Sequence, residues 1–361
     1  MANLATNVGE KFAKNSMKRF KQTAVAPMIT NDKYEGEIKG GGADRVNILT
    51  YGVPALTAYT GANISFETVT EAEGVMIIDQ LWTWAFQILD WDNFKTYAND
   101  VKSVEIQNAG DQIERKVDAY VLGLYSKAGR KPGTTYATGT VSVDVSGNVT
   151  GSGTTFPTTV ASAYARFKAL GHTKWYRVKT YTNSTHIVIE NDEDDVATHY
   201  NGGVITGKTY EVEGYAVTTV ASSTIDTAIL KAKEGLDEAF VPATERFLVV
   251  PSKIHSTILQ AGILTPYTPS VYEDVVKLGI VGTLRGFKVI SNEQVTGDNT
   301  VGYHCVAGHP SAITFAMAMT KAETCKLELN FGNGFKSLIC YGAKVLDVRR
   351  PALVDLWIKT V

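Results

Sequence analysis

Three cysteines in 361 residues, Cys305, Cys325 and Cys340, are too few and too far apart for a disulfide framework or a CxxC metal or redox motif. They are expected to be buried free thiols. No run approaches the ~20 apolar residues needed to cross a bilayer, so no membrane partner is expected. The first twenty residues also lack the apolar core of a signal peptide, which points to synthesis and use in a cytoplasm. Excess charge is missing too: 35 Lys and Arg against 37 Asp and Glu give a formal charge of −2, so any nucleic-acid contact has to be local. HExxH, GxSxG and clustered His, Asp and Ser are absent, and the six histidines show no ligand spacing. These absences point to a chain with no catalytic residues, no cofactor and no metal.

What remains is globular in composition, with 44% hydrophobic and 20% charged residues, and long enough for two or three lobes. Residues 1–30 carry one acid, Glu10, against Lys11, Lys14, Lys18, Arg19 and Lys21, threaded with Phe12, Met17 and Phe20. This reads as an arm, either a solvated tail or a clamp on a neighbouring subunit or DNA.

Met76, Ile78, Trp82, Trp84, Phe86 and Ile88 recur with period two, which places them on one face of a strand. Alternation over 75–89, interrupted only at Gln80, predicts a strand of ~50 Å at ~3.3 Å per residue. A second alternating run at 64–69 completes a long antiparallel hairpin, too aromatic to be stable alone in water, so the strip is expected to face another subunit or lobe. Over 93–128 the period becomes helical, with Val101, Val104, Ile113, Val117, Tyr120, Val121 and Leu124 on one stripe. Gly110 marks an expected bend, and Lys127 and Arg130 suit the negative end of the helix dipole.

From Lys131-Pro132-Gly133 the chain turns rich in Gly, Thr and Ser with short alternating runs to about Gly214, a small β domain inserted into a chain that resumes afterwards. The resumption is a helix expected to be capped by Ser223, with Asp226 three residues on and Pro242 ending it. Within the inserted stretch, Gly202 to Thr209 satisfies the phosphate-loop string GxxxxGK[ST]. That chemistry needs a preceding strand and a following helix, whereas the next residues alternate as a strand. The acidic run Asp192 to Asp195 lacks the glycine and glutamate that an EF-hand register requires, and reads as a solvated turn.

Three groups of residues carry a family resemblance. They are Ala43-Asp44-Arg45-Val46-Asn47-Ile48 with Tyr59-Thr60-Gly61 and Ile78-Asp79-Gln80; Leu236 to Val250 and Gly279 to Val289 with Ser291-Asn292; and Leu338 to Leu346. In this order, after a basic arm and before and after a long helix, they resemble the major capsid (coat) proteins of tailed bacteriophages with the Hong Kong phage-type fold. The resemblance covers 1–130 and 217–361. Residues 147–156 instead resemble small β modules of phage structural proteins.

The resemblance implies an α+β subunit: an N-terminal arm (1–30), an extended loop (31–91), a spine helix of a peripheral domain (92–130), the inserted all-β domain (131–216), more peripheral domain (217–245), an axial domain (246–335) and a return to the peripheral domain (336–361). It implies self-assembly into hexamers and pentamers of an icosahedral shell in the virion, built in the bacterial cytoplasm around double-stranded DNA with a separate scaffolding protein and a portal. The arm is expected to remain in the mature shell. A tail-tube or head-decoration subunit would lack the long helix, and a nucleotide-binding enzyme would need a helix after Lys208.

Overall fold

The apolar stripe predicted over 93–128 forms a single helix in the computed structural model, which describes residues 24–31, 45–51, 58, 71–89, 101–191, 200–263, 265–266, 280–328 and 331–361. A short helical turn, α1 (Ala26–Ile29), precedes it in the chain, with strands β1 (Arg45–Tyr51), β2 (Glu71–Ile77) and β3 (Gln80–Leu89). The long helix, α2 (Val101–Leu122), continues through Gly110 without interruption, tightens into a 3-10 turn at Gly123–Lys127 and ends at Ala128. A Cβ at Gly110 would meet nothing within 4 Å, so glycine is tolerated there rather than required.

Residues 75–89 do not make one strand. The chain breaks at Ile78 and Asp79 because its halves have different partners: β2 pairs antiparallel with β1, from Arg45 opposite Ile77 to Tyr51 opposite Glu71. The expected hairpin arm at 64–69 lies outside the described residues. β3 instead pairs with a strand from the far end of the chain, Gly332–Val345, with Phe86 opposite Phe335 and Trp82 opposite Ile339. The crossing point needs glycine, since a Cβ on Gly342 would stand 2.4 Å from the Ile77 carbonyl oxygen. Two strands of 7 and 10 residues, ~23 and ~33 Å, replace the expected ~50 Å.

Residues 135–213 supply every strand of an eight-stranded antiparallel sheet: β4 (Thr135–Tyr136), β5 (Thr140–Val143), β6 (Asn148–Ser152), β7 (Arg166–Ala169), β8 (Tyr176–Asn183), β9 (His186–Glu190), β10 (Ile205–Lys208) and β11 (Tyr210–Glu213). Their order is β10-β5-β6-β9-β8-β7-β11-β4. Inward residues such as Val149, Phe156, Phe167, Ile187 and Val212 form a core of their own, as the period-two runs require.

A second sheet gathers β12 (Thr218–Val220), β13 (Phe247–Val250), β14 (Thr265–Pro266), β15 (Ile280–Leu284), β16 (Phe287–Ser291), β17 (Gly297–Asp298) and β18 (Gly302–Gly308) with the last strand of the chain. Helices α3 (Ile225–Glu238) and α4 (Ser252–Gln260) pack on it through Ile225, Ile229, Leu236, Ile254 and Ile258. α3 starts one residue later than expected, with Thr224 at the cap and no side-chain capping bond, while Asp226 pairs with Arg285 at 2.7 Å.

The remaining strands are β19 (Ile313–Lys326), β20 (Gly332–Val345) and β21 (Leu353–Thr360). β19, β20 and β3 form a three-stranded sheet, and Val117, Val121 and Leu122 of α2 share a core with Ile313, Phe315, Ile339 and Tyr341. β20 runs straight through Phe335. β21 lies between β12 and β18, so the C-terminal strand belongs to the sheet of Phe247–Val250, and its Leu353 shares a core with Val117, Val121 and Leu122 of the long helix. Its first four residues are all buried, as a strand covered on both faces must be.

Inside the eight-stranded sheet His172 is 7% exposed; its Nδ1 accepts from the Ala169 amide (3.1 Å), and its Nε2 hydrogen donates to Tyr200 Oη (2.5 Å), which donates onward to Gly203 O (2.7 Å). Both ring nitrogens are used by the neutral tautomer. Burial, with Lys168 nearby, pushes the imidazole down to about 4 from the ordinary 6.5. The unfolded chain therefore binds the proton first, and stability falls as pH drops from about 6.5 to about 4, by up to ~3 kcal/mol, and levels off below. Hydrogen exchange of residues 165–205 should lose protection across this window in the wild type and not in His172→Gln; pH-independent wild-type protection would refute the neutral buried histidine.

Candidate functional site

For a chain whose sequence suggests contact rather than catalysis, the surfaces of interest are the aromatic strip, the start of the described chain and the root of the eight-stranded sheet. The strip divides. Met76 is fully buried against Ile48, Ala316 and Leu346 with Ile78 beside it, so it is an internal core residue and leaves the predicted inter-subunit set. Trp82, Trp84, Phe86 and Ile88 share one face of β3. Trp84 stacks on Phe86 at 5.6 Å and Phe86 on Phe335 at 5.2 Å.

That face looks toward α2. Trp82 and Trp84 form one wall of a groove of about 230 Å³ whose other wall is Ala109, Gln112, Ile113 and Lys116, and the Lys116 ammonium sits 4.9 Å from the Trp82 ring. Trp82 nevertheless keeps 43% of its surface exposed, and its neighbour Leu81, on the opposite face, 63%. Large apolar side chains this open at neighbouring positions of one strand make it a candidate contact surface.

The arm residues Lys11, Lys14, Lys18, Arg19 and Lys21 lie outside the described residues. The segment that follows them is anchored by one polar side chain of the long helix. Asp118, 3% exposed on α2, accepts from the amides of Val25 (3.0 and 3.1 Å) and Ala26 (2.8 Å) and from Asn292 Nδ2 (2.9 Å). Burial raises its carboxyl above the usual range even though these donors pull the other way. Ile29 is fully buried, and Asn31 bridges to Thr314 at the start of β19. The available signal was position: Asp118 falls between Val117 and Val121 on the apolar stripe, where an unpaired carboxylate is not tolerated.

At the root of the eight-stranded sheet Arg130 does not serve the helix end, as expected, but forks onto Glu213 (2.7 and 3.0 Å) and reaches Glu238 (2.6 Å), with its guanidinium 4.5 Å from the Trp175 ring. Lys131 is buried against Asp355 at 3.1 Å. His304 stacks between Tyr125 and Trp357 and bonds to the same carboxylate.

The phosphate-loop string has no phosphate-loop structure. Ile205–Lys208 is a strand paired antiparallel with β5, the Gly207 amide donates to Ser142 Oγ (3.1 Å), and Tyr210–Glu213 follows as a strand, so no helix N-terminus faces the loop. The acidic run at 192–195 lies outside the described residues, among which no cluster of three or more His, Cys, Asp or Glu could hold a metal. The three cysteines are free, but only Cys305 is buried; Cys340 is half-buried and Cys325 exposed, contrary to expectation.

No family model matches the chain, and neither does any curated protein. Solved structures do. The chain superposes on one from mycobacterium phage Che8 with a TM-score of 0.59 and 16% identity, covering 98% of this chain and 97% of that one. For the capsid of cyanophage P-SCSP1u the values are 0.55 and 14% over 99% and 94%, and for the mature capsid of bacteriophage PhiM1 0.54 and 12% over 98% and 91%. The α+β fold of this chain is thus the fold found in phage capsid structures.

Replacing Asp118 with Ala should leave three donors without their acceptor, two of them main-chain amides, and cost about 3 kcal/mol or more. Limited proteolysis should then cut near residues 24–31 at protease levels that spare the wild type. Equal resistance at that segment would show that Ile29 and the Asn31 bridge suffice.

Proposed function

We propose that this chain is the major capsid protein of a tailed bacteriophage, the subunit that closes into hexamers and pentamers of the icosahedral head. The observation that carries the reading is the end-to-end match: 98% or more of the chain is covered by each of three phage structures that are themselves covered over 91% or more, so the likeness is to a whole subunit and not to a shared module. Shell formation needs self-complementary surfaces on closed symmetry, and residues chosen for burial between copies rather than for reaction. The open apolar side chains Leu81 and Trp82 on β3, with Ile77 beyond the break, fit that need.

The finer parts of the reading follow from chemistry. The basic arm offers non-specific contact with double-stranded DNA or a clamp on a neighbour, since Lys and Arg neutralise phosphates without reading sequence. A separate scaffolding protein and a portal are the expected assembly partners in the host cytoplasm, and the virion is the destination. Residues 131–216 act as an inserted domain on the outer face, where their bulk takes no genome volume and the acids at 192–195 are not set against packaged DNA. No catalytic step is assigned.

Purified chain viewed by negative-stain microscopy should form shells or capsomer-sized rings. Leu81→Asp and Trp82→Asp should lower particle yield at least tenfold while circular dichroism and solubility stay those of the wild type; undiminished yield in both would reject β3 as a subunit contact. A wild type that stays monomeric, alone and with its scaffolding partner, would reject the capsid reading itself.

Removing 132–216 through a short Gly-Ser linker, keeping Lys131 because Asp355 is buried against it, should still give particles, smoother and less heat-stable than the wild type. Density for this sheet beneath the shell in a particle reconstruction would overturn the outward placement.

A further inference from the structure

At the end of α3 the chain turns in a way its sequence does not suit. The Phe240 amide donates to the Asp237 carbonyl (3.0 Å) and the Val241 amide to the Leu236 carbonyl (3.0 Å), the paired bonds that close a helix over a residue of positive φ. Glycine fills that place without strain, but here it holds Phe240, with φ +55° and 94% of its surface exposed. Buried Arg246 keeps the turn in this form: it donates to the carbonyls of Val241 (2.6 Å) and Pro242 (2.8 Å) and pairs with Asp237 at 2.7 Å. Val241 packs against the two cores beneath. Backbone strain of this kind persists only where the surroundings impose it, and it collects at active sites, ligand clamps and switches.

We propose that Phe240 is a rigid aromatic knob that seats in the groove between β3 and α2 of a second copy of this chain. The inference rests on the capsid reading and deepens it, by naming one of the contacts through which copies join.

The groove has the size and lining for a phenyl ring. It measures about 230 Å³ and is walled by Trp82, Trp84, Ile113 and Tyr341, with the Lys116 ammonium over the Trp82 ring. A cavity of ~150 Å³ holds a benzene ring, so a phenyl group and its Cβ fit here with their edges against the indoles. In its own chain Phe240 meets water on nearly every side, so the ring that enters the groove comes from another copy.

Two features favour a second copy over any other occupant. Every chain carries both the knob and the groove, so in a shell the two are present in equal number. They are also different patches, and a contact between different patches joins copies head to tail, the arrangement that closes into rings such as pentamers and hexamers. The seating itself is helped by Arg246, which fixes the backbone under the ring before contact and leaves little conformational freedom to be lost. A phenylalanine exposed merely because nothing selects against it would leave the strained conformation without a reason, since glycine, asparagine or aspartate satisfies the same turn with less strain.

Phe240→Gly separates the contact from the fold, because glycine suits the turn. The unassembled variant should melt no lower than the wild type, while its yield of shells or rings falls at least tenfold. The photoreactive p-benzoylphenylalanine at position 240, in a chain mixed with excess wild type during assembly, should on irradiation give a dimer on a denaturing gel. Tandem mass spectrometry of that dimer should join position 240 to the segment of Trp82–Trp84 or of Ala109–Lys116 in the other copy. A cross-link to any other segment, to another protein or within one chain, or none at all, would overturn the proposal, and so would undiminished assembly of Phe240→Gly; if the glycine variant melts lower, the cross-link alone decides. A wild type that forms no particles rejects the capsid reading and the knob together, whereas wild-type particles matched in yield by Phe240→Gly reject the knob alone.

Discussion

A buried carboxylate in the middle of the long helix fixes the relation between parts of the chain that share no strand pairing. Asp118 takes hydrogen bonds from the amides of Val25 and Ala26 and from Asn292, which follows β16 in the sheet of Phe247–Val250. Helix, N-terminal segment and sheet therefore converge on one side chain. An apolar contact at this place would hold the pieces together but allow them to slide. A carboxylate with three directed donors admits one arrangement, because any shift leaves a buried charge or a buried amide without a partner. The cost shows in the raised carboxyl, for which burial outweighs the donors.

The same logic recurs at the root of the eight-stranded sheet with the signs reversed. Arg130 and Lys131 are cations, adjacent in sequence, and they reach opposite ways: Arg130 to Glu213 and Glu238, Lys131 to Asp355. Burial alone would raise the Asp355 carboxyl, but Lys131 and His304 hold it below the usual range. Its pairing therefore stabilises the fold above the ordinary carboxylate range, and that contribution fades only as pH falls below it. One dipeptide fastens three elements: the end of β11, the end of α3 and the interior strand β21.

How much of this could be read from the sequence depends on whether a pattern reports a face or a partner. Helical spacing over Val101–Leu122 was legible because one stripe and one core suffice to define a helix, and the strand after Lys208 was legible from alternation alone. Period two over 75–89 reported faces correctly and partners not at all. Alternation continues across Ile78 and Asp79 while β2 turns to β1 and β3 to β20, more than two hundred residues away, so one apparent strand is two. The buried run at the start of β21 likewise signals an interior strand but not which sheet encloses it. Asp118 and the Lys131–Asp355 pair were hidden for a different reason: a carboxylate or an ammonium earns a buried place only through partners 92 and more residues distant, and no local window contains them.

The two ends of the eight-stranded sheet explain why it can sit within this chain without disturbing it. The Gly214 amide donates to the Thr134 carbonyl (2.8 Å), and Thr134 Oγ1 both donates to the Ala216 carbonyl (2.8 Å) and accepts from its amide (3.1 Å), so the outgoing and returning strands leave side by side. Gly214 has φ +68°, and a Cβ there would stand 2.3 Å from Lys131 Cγ, which makes glycine the residue that lets the return pass the buried lysine. Adjacent ends alone would leave the sheet free to pivot about its two strands. Arg166 of β7 removes that freedom by reaching the Ser126 carbonyl (3.1 Å), and Lys131 does so again through the carbonyl of Ala163, in the turn before β7. With two connecting strands, the Arg130 fork and these two ties, the orientation of the sheet is set by bonds that cross the root in different directions. It is carried as a rigid extension of α2 and β21, and a force on one passes to the other through Lys131 and Asp355.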